Sequence, residues 1–544
     1  MDRERDALRI MESRYEKISP FEFKDKLIGL ARENGKKSAR ALLDAGRGNP
    51  NWIAAAPRDA FFALGQFAVV ESRRIWHEGH LAGMPEKAGI SERFRVFAAE
   101  SARVPGVELL RDIVRYGVDV CGFAADEWVH ELADGVIGDN YPAPDRMLAH
   151  AERIAHDFLA QELCGRDPGA GAGKFRIFAV EGATAAMCYI FDSLTANRLL
   201  SRGDRVAVMV PIFAPYIEIP QLARYDFDTV EIRASGLADD GAHTWQYPPS
   251  ELQKLADPSI RALFLVNPSN PPSVAMQPES VRRLVDIVNR HNPRLMIVSD
   301  DVYGTFVDGY RSLMADLPFH TIGVYSFSKY FGVTGWRLGA IAVHEDNVFD
   351  RLLQELPDGD RDMLAKRYAS LSRRPGELRF MDRLVADSRQ VALNHTAGLS
   401  TPQQVQMALF AGFALLDRRG AYKQLTKDIC RRRMNLLYEG LGLPEPQLPL
   451  CADYYTEFDL AEWAAHRHGA EFAAHLRERY EPVDILFRLA EASSVVLLPG
   501  GGFHGPDWSI RVSLANLDDP AYAQIGRDLC AVLEEYASEW ERGR

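Results

Sequence analysis

The sequence predicts an α/β fold in which a mostly parallel sheet is covered by helices on both sides, with a smaller α+β domain and an amino-terminal helical arm attached. Three observations predict it. Short apolar runs without polar alternation, RVAVMV (205–210), RALFLV (261–266) and RLMIVSD (294–300), read as strands buried on both faces. Amphipathic stretches such as PESVRRLVDIVNRH (278–291) alternate with them, and a helix between two such strands implies a parallel crossover. At 544 residues the chain is also too long for one ordinary core.

Residues 1–44 read as helical, with SPFEFKDKL supplying Ser19 as an N-cap and Glu22 three residues on. A break follows at AGRGNPNW (45–52), and residues 55–130 alternate helical stretches with loops. We expect 1–130 to form the arm and a helical segment allied to the small domain, 131–398 the large sheet domain, and 399–544 the small domain. Within these, 346–398 read as long charged helices, and VVLLPG (495–500) and IRVSLA (510–515) as two short strands.

Lys plus Arg is 64 and Asp plus Glu is 76, a net charge of −12 with both signs scattered. That argues against nucleic acid, whose binders carry a basic stripe. The first residues, MDRERDALRI, lack the apolar core of a signal peptide, and no apolar run approaches the roughly 20 residues of a membrane helix. The six cysteines form no CxxC pair, so no metal site or disulfide framework is expected and a reduced cytoplasm is the default.

Two suggestive motifs fail on inspection. GRDPGAGAGKF (165–175) has Pro168 where a P-loop needs its first glycine and Phe175 where it needs Ser or Thr, and HEGH (77–80) spaces its histidines three apart rather than four. The informative residues stand instead after the apolar runs. After RIFAV, the turn EGATAAM brings small residues and a helix start together at Ala183 and Thr184, a place for an anion. VNPSNPPSV holds Asn270 in a proline-rigid loop. MIVSDDVYGTF runs four apolar or small residues into Asp300, a carboxylate that is costly there unless it meets a cation or several donors, with Tyr303 close by. VYSFSKYFGVTGWRLG (324–339) then places Ser326, Ser328, Lys329 and Arg337 in one glycine- and aromatic-rich loop. An anion turn, an asparagine, an aspartate with a tyrosine and a serine-flanked lysine on successive strand ends form a combination that chance rarely supplies.

With these motifs the chain resembles the fold-type I pyridoxal 5'-phosphate enzymes of the class I/II aminotransferase family, over about residues 44–515. Within that family AGRGNPN, NYPAPDRML, PIFAPYIEIP, DRLVADSRQVALNHTAGLSTPQQVQM and RVSLANL are similar to the aspartate 4-decarboxylase group, also described as bifunctional aspartate aminotransferases. The resemblance implies a mostly parallel seven-stranded sheet and pyridoxal 5'-phosphate as cofactor. It implies that Lys329 holds the cofactor aldehyde covalently, that Asp300 pairs with the pyridine nitrogen, that Asn270 and Tyr303 bond the ring oxygen and that Phe213 stacks on the ring. Ala183, Thr184, Ser326, Ser328 and Arg337 are implied to hold the phosphate, with Tyr141 reaching the phosphate of a neighbouring subunit. For the substrate it implies Arg511 at the α-carboxylate, Arg47 and Gly48 beside the substrate, and Arg47 with Lys24 on the β-carboxylate side.

The implied activity is L-aspartate β-decarboxylation to L-alanine and carbon dioxide with side transamination, on an amino acid and a 2-oxo acid, in a homodimer at least and in assemblies up to dodecamers. One departure bears on this: the group carries an arginine within Pro-Gly-x-Gly-Phe, where this chain has Gly501 in LLPGGGFHG. That keeps open an aminotransferase for an acidic amino acid, or a lyase acting on a sulfinate or phosphonate analogue of aspartate. A non-catalytic sensor is disfavoured by the presence of Lys329 and Asp300 and by an arm without a basic helix-turn-helix.

Overall fold

The structure, a computed structural model, describes residue 15 and residues 18–38, 41–76, 81, 83–165, 175–238, 242–391 and 398–543, with 34–38 as backbone. The HEGH pair and most of the glycine-rich stretch after Gly165 lie outside the described residues. Within the described residues the arm carries helix α1, Pro20–Ser38, directly after Ser19, and leads to the two-residue strand β1, Leu43–Asp44. Helix α2, Ala55–Ile75, and four further helices over 90–163 precede the large sheet.

That sheet has seven strands: β2 Phe175–Val180, β3 Arg205–Val210, β4 Asp228–Arg233, β5 Ile260–Val266, β6 Met296–Asp300, β7 Thr321–Ser326 and β8 Gly339–His344. Their order is β2-β8-β7-β6-β5-β3-β4, and β8 alone runs antiparallel to its neighbours. The apolar runs read as doubly buried strands are so. Val208, Phe264 and Val298 face one core, while Ala207, Leu263 and Ile297 face another with Leu284, Ile287 and Val288 of the crossover helix Pro278–Arg290. Helix α3, Ala183–Ala196, covers the first face and starts immediately after Gly182.

The stretch 346–398 differs from the long helices expected. It is broken into Val348–Gln354, Asp358–Arg367 and Phe380–Ser388, because Pro357 and Pro375 lack the N–H a continuing helix needs and fix φ at each break. VVLLPG likewise splits, into β10 Val495–Val496, parallel to β1, and β11 Leu498–Pro499. With β9 Tyr455–Asp459 and β12 Ser509–Ser513, β11 makes a three-stranded antiparallel sheet in the order β11-β12-β9.

Buried residues from 54 to 164 and from 399 to 415 belong to the same core as the first face of the large sheet. Phe23, Leu27, Ile28, Ala31 and Ala45 instead join the core built from residues 434–537. Helix α1 is thus tied to the carboxy-terminal part of the chain by one apolar face. Phe23 is 1% exposed in that core. Phe23→Ala is expected to cost about 3–5 kcal/mol in denaturant unfolding of the cofactor-free protein, the usual range for emptying a buried phenylalanine site.

Candidate active site

The parallel strands of the large sheet end on one side, and the residues that follow them meet there, where open α/β sheets place ligands. A cavity of about 330 Å³ is lined by Gly48, Ala183, Thr184, Phe213, Asn270, Asp300, Tyr303, Ser326, Ser328, Lys329, Arg337 and Arg511 among others. Twelve of the fifteen residues singled out in the sequence are therefore brought together. Lys24, Arg47 and Tyr141 are not part of this lining.

Asp300 closes β6 and is 3% exposed. It accepts only long hydrogen bonds, from the Val302 N–H at 3.3 Å and the Tyr216 hydroxyl at 3.4 Å. Burial, and then the neighbouring Asp301 charge, push its carboxyl up to about 7. Asp301 is satisfied differently, by the hydroxyls of Ser312 at 2.6 Å, Tyr310 at 2.7 Å and Ser299 at 2.8 Å. Burial raises it to about 6 in spite of them.

Lys329 stands in the turn after β7 and donates its amine to the Gly48 carbonyl at 3.0 Å. The same carbonyl accepts the Tyr454 hydroxyl at 2.8 Å. Gly48 has to be glycine: a Cβ there would lie 2.5 Å from the Tyr455 hydroxyl and 3.2 Å from the Lys329 amine. Tyr303 donates to the Tyr455 hydroxyl at 3.1 Å.

Across the cavity, β12 supplies Arg511, 1% exposed. It donates to the Gly46 carbonyl at 2.7 Å and to Asn270 Oδ1 at 3.3 Å, and its Nε is buried with no partner. The guanidinium lies between the rings of Tyr455 at 4.5 Å and Phe503 at 4.9 Å, so ring faces flank its charge and, among the described residues, no carboxylate forms an ion-pair contact with it.

The third group is an anion cradle. Gly182 at φ 90°, a conformation suited to glycine, turns the chain from β2 into the amino end of α3, where Ala183 and Thr184 sit in the first turn. Arg337, itself at φ 56°, packs so close that a Cβ on Gly182 would be 2.7 Å from its Nη2. The Ser328 N–H donates to Ser326 Oγ at 3.3 Å, leaving Ser328 Oγ buried without a partner.

Lys24 and Arg47 flank this arrangement. Arg47 is paired with Asp44 at 3.1 Å and its side chain is 56% exposed. The stem of Lys24 lies over Gly46, its Cδ 3.2 Å from where a Cβ on that glycine would stand. Tyr141 is exposed on the loop between Ala125–Ile137 and Ala149–Leu163. The sequence offered no sign of Phe21, Tyr454 or Tyr455. Tyr216 had one: it stands three residues after Phe213 in PIFAPY and could have been placed with it.

The residues fit pyridoxal 5'-phosphate. A buried carboxylate with weak neutral donors suits a protonated ring nitrogen, the orphaned Ser328 hydroxyl beside a helix amino end and Arg337 suits a phosphate, and the orphaned Arg511 Nε suits a substrate carboxylate.

The family profile "Aminotransferase class I and II" matches residues 179–525. The chain is 47% identical over 526 residues to a Pseudomonas sp protein named bifunctional aspartate aminotransferase and L-aspartate beta-decarboxylase, covering 96% of this chain and 97% of that one. Among solved structures, a Thermus thermophilus aspartate aminotransferase single mutant superposes with a TM-score of 0.57 at 18% identity, covering 96% and 97% of the two chains. N-succinyldiaminopimelate aminotransferase from Mycobacterium tuberculosis gives 0.55 at 17%, covering 95% and 98%. At such identities the two structures bear on the fold alone.

The raised Asp300 carboxyl carries a stability signature. Between the ordinary carboxylate range and about 7 the folded protein keeps a proton that the unfolded chain has released, so stability falls as pH rises through that window. Asp301 and Glu457, raised to about 6 and about 7, act in the same direction. In the cofactor-free protein, urea unfolding from about pH 4.5 to about pH 7.5 is expected to show a loss that Asp300→Asn reduces by on the order of 3 kcal/mol.

Proposed function

Because the chain belongs to the class I and II aminotransferase family, we propose that it converts L-aspartate to L-alanine and carbon dioxide, with side transamination of aspartate to a 2-oxo acid. The observation that carries this reading is the 47% identity over 96% of the chain to the Pseudomonas bifunctional protein. Enzymes of this family depend on pyridoxal 5'-phosphate, which when bound supplies an electron sink conjugated with the substrate Cα.

The chain's own residues then have distinct tasks. The Lys329 amine, 3.0 Å from the Gly48 carbonyl, anchors the cofactor and, once released, takes and returns the proton at Cα. Asp300 keeps the ring nitrogen protonated, the cation its burial calls for. Asn270 and Tyr303 bond the ring oxygen, and Tyr455 steadies the Tyr303 hydroxyl. Phe213 covers the ring face. Ala183, Thr184, Ser326, Ser328 and Arg337 hold the phosphate.

Arg511 receives the α-carboxylate through its planar fork, already oriented by Gly46 and Asn270. Gly48 gives the substrate room, while Arg47 and Lys24 orient the β-carboxylate from the rim. Tyr141 serves the phosphate of a neighbouring copy, in a cytoplasmic assembly of at least two chains. Among the described residues no helix is long and apolar enough to cross a membrane.

Gly501 favours a second reading, transamination of an acidic amino acid or lysis of a sulfinate or phosphonate analogue. A Cβ there would meet the Asp507 backbone at 3.8 Å, an ordinary contact, so the glycine is not imposed by crowding where the related group has an arginine. The purified holoenzyme given L-aspartate alone separates the two. Sustained alanine and carbon dioxide are expected; one turnover that resumes only with 2-oxoglutarate would mark an aminotransferase. Lys329→Ala should lower either activity by several orders of magnitude, as removal of a covalent anchor and base does. Arg47→Ala and Lys24→Ala are each expected to change the ratio of alanine to oxaloacetate, and an unchanged ratio in product analysis would remove both from the β-carboxylate.

A further inference from the structure

We propose that Phe21, at the head of the arm helix, is the wall that keeps water from the substrate and so sets the partition between loss of the β-carboxylate and release of the keto acid. The inference rests on the reaction proposed above.

Phe21 belongs to the cavity lining although it lies more than 300 residues from Lys329 in the chain. Its ring stands edge-on to Phe213 at 5.7 Å and 68°, and edge-on to Phe503 at 6.1 Å and 88°. Phe213 is the residue assigned to the cofactor ring, and Phe503 is one of the two rings enclosing Arg511. Phe21 therefore bridges the cofactor side and the carboxylate side of the cavity with an apolar cover.

The head of the arm is keyed into place. Pro20, just before Phe21, packs on Gly502, where a Cβ would lie 2.3 Å from its Cγ. The loop carrying Gly502 is itself fixed: the Phe503 carbonyl accepts the Ile212 N–H at 3.0 Å, and His504 meets Glu231 at 2.6 Å. Phe21 packs with Ala214, Leu498 and Phe503 in a small apolar cluster apart from the main cores, whereas Phe23, Leu27 and Ala31 hold the rest of α1 in the carboxy-terminal core. The arm is anchored by one set of residues and covers the site with another.

The chemistry makes such a cover decisive. Decarboxylation breaks the bond from Cβ to the carboxyl carbon, leaves the electron pair on Cβ and places a proton there, so that aspartate and one proton give alanine and carbon dioxide. The competing route adds water at Cα and releases oxaloacetate, the amino group staying with the cofactor until a 2-oxo acid takes it. Water is a reactant only in the second. An apolar ring over the site lowers its access, and also disfavours a charged carboxylate relative to neutral carbon dioxide.

The test uses the full-length holoenzyme with L-aspartate and 2-oxoglutarate, reading alanine against oxaloacetate, for Phe21→Ala, Phe21→Leu and Gly502→Ala. Phe21→Ala is expected to lower the ratio about tenfold, equivalent to a barrier difference of about 1.4 kcal/mol, and Phe21→Leu by less. Gly502→Ala, which leaves Phe21 in the chain but displaces its seat, should follow Phe21→Ala. It should also speed hydrogen exchange over residues 20–28 in the cofactor-free protein, a readout independent of turnover. A carbon dioxide-releasing protein whose ratio stays within about twofold in both Phe21→Ala and Gly502→Ala overturns the wall alone. An unmodified holoenzyme that releases no carbon dioxide from aspartate overturns the proposed reaction and the wall with it.

Discussion

A carboxylate at the buried end of β6 is the constraint around which the site is organised. Two adjacent aspartates leave that strand. Asp301 is absorbed by three hydroxyl donors and settles into the fold, while Asp300 receives two long bonds and stays expensive. Such a cost is carried when a ligand supplies the missing partner, and a protonated heterocycle does so with charge and direction together. With that nitrogen held by Asp300, Asn270 and Tyr303 would be left to bond the ring oxygen, the α3 amino end to hold the phosphate and Lys329 to anchor the aldehyde, all of them lining the same cavity. Asn270 follows β5, Asp300 closes β6 and Tyr303 follows it, Lys329 follows β7 and the α3 amino end follows β2, so the register of one sheet sets the distances between them.

A second constraint joins the two ends of the chain. The turn after β1 offers its Gly46 carbonyl to Arg511 and its Gly48 carbonyl to Lys329 and Tyr454. Asp44 shapes that turn, accepting the Gly46 N–H at 3.1 Å and pairing with Arg47 at 3.1 Å. Two cations from separate sheets are thus positioned by two carbonyls of one short loop. This also accounts for the burial of Arg511 without a carboxylate. Its charge is held by carbonyl dipoles and two rings, which leaves Nε available to an incoming acid without the competition an internal ion pair would create.

Strands β3, β5 and β6 were legible because double burial writes an unbroken apolar run, and the site residues that follow them were legible because proline, glycine or a stranded charge marks each strand end. The edge strand β4 was not, since DTVEIR exposes Asp228 and Arg233 and lacks that run. Strand β9 escaped for the opposite reason: YTEFD buries Glu457, 5% exposed, whose carboxyl accepts Ser509 Oγ at 2.6 Å, and a charged residue in a short stretch reads as loop. The three helices of 348–388 share the charge pattern of one long helix, and only the two prolines separate them. Helices over 55–137 show amphipathic spacing, which says that one face is buried but not which core receives it. Phe21, Tyr454 and Tyr455 were out of reach for a simpler reason. Aromatic residues usually read as core, and what makes these part of the site is a contact across hundreds of residues.

The two carboxylates of the proposed substrate ask for opposite treatment, and the site is asymmetric in that sense. The α-carboxylate keeps its charge throughout, so a buried, preoriented arginine binds ground state and transition state alike. The β-carboxylate must surrender its charge to leave as carbon dioxide. A buried bidentate arginine would stabilise the charged ground state more than the departing neutral molecule and so raise the barrier. Arg47, half-exposed and already shared with Asp44, and Lys24, whose stem lies over Gly46, would be weaker partners in the β-carboxylate role proposed for them.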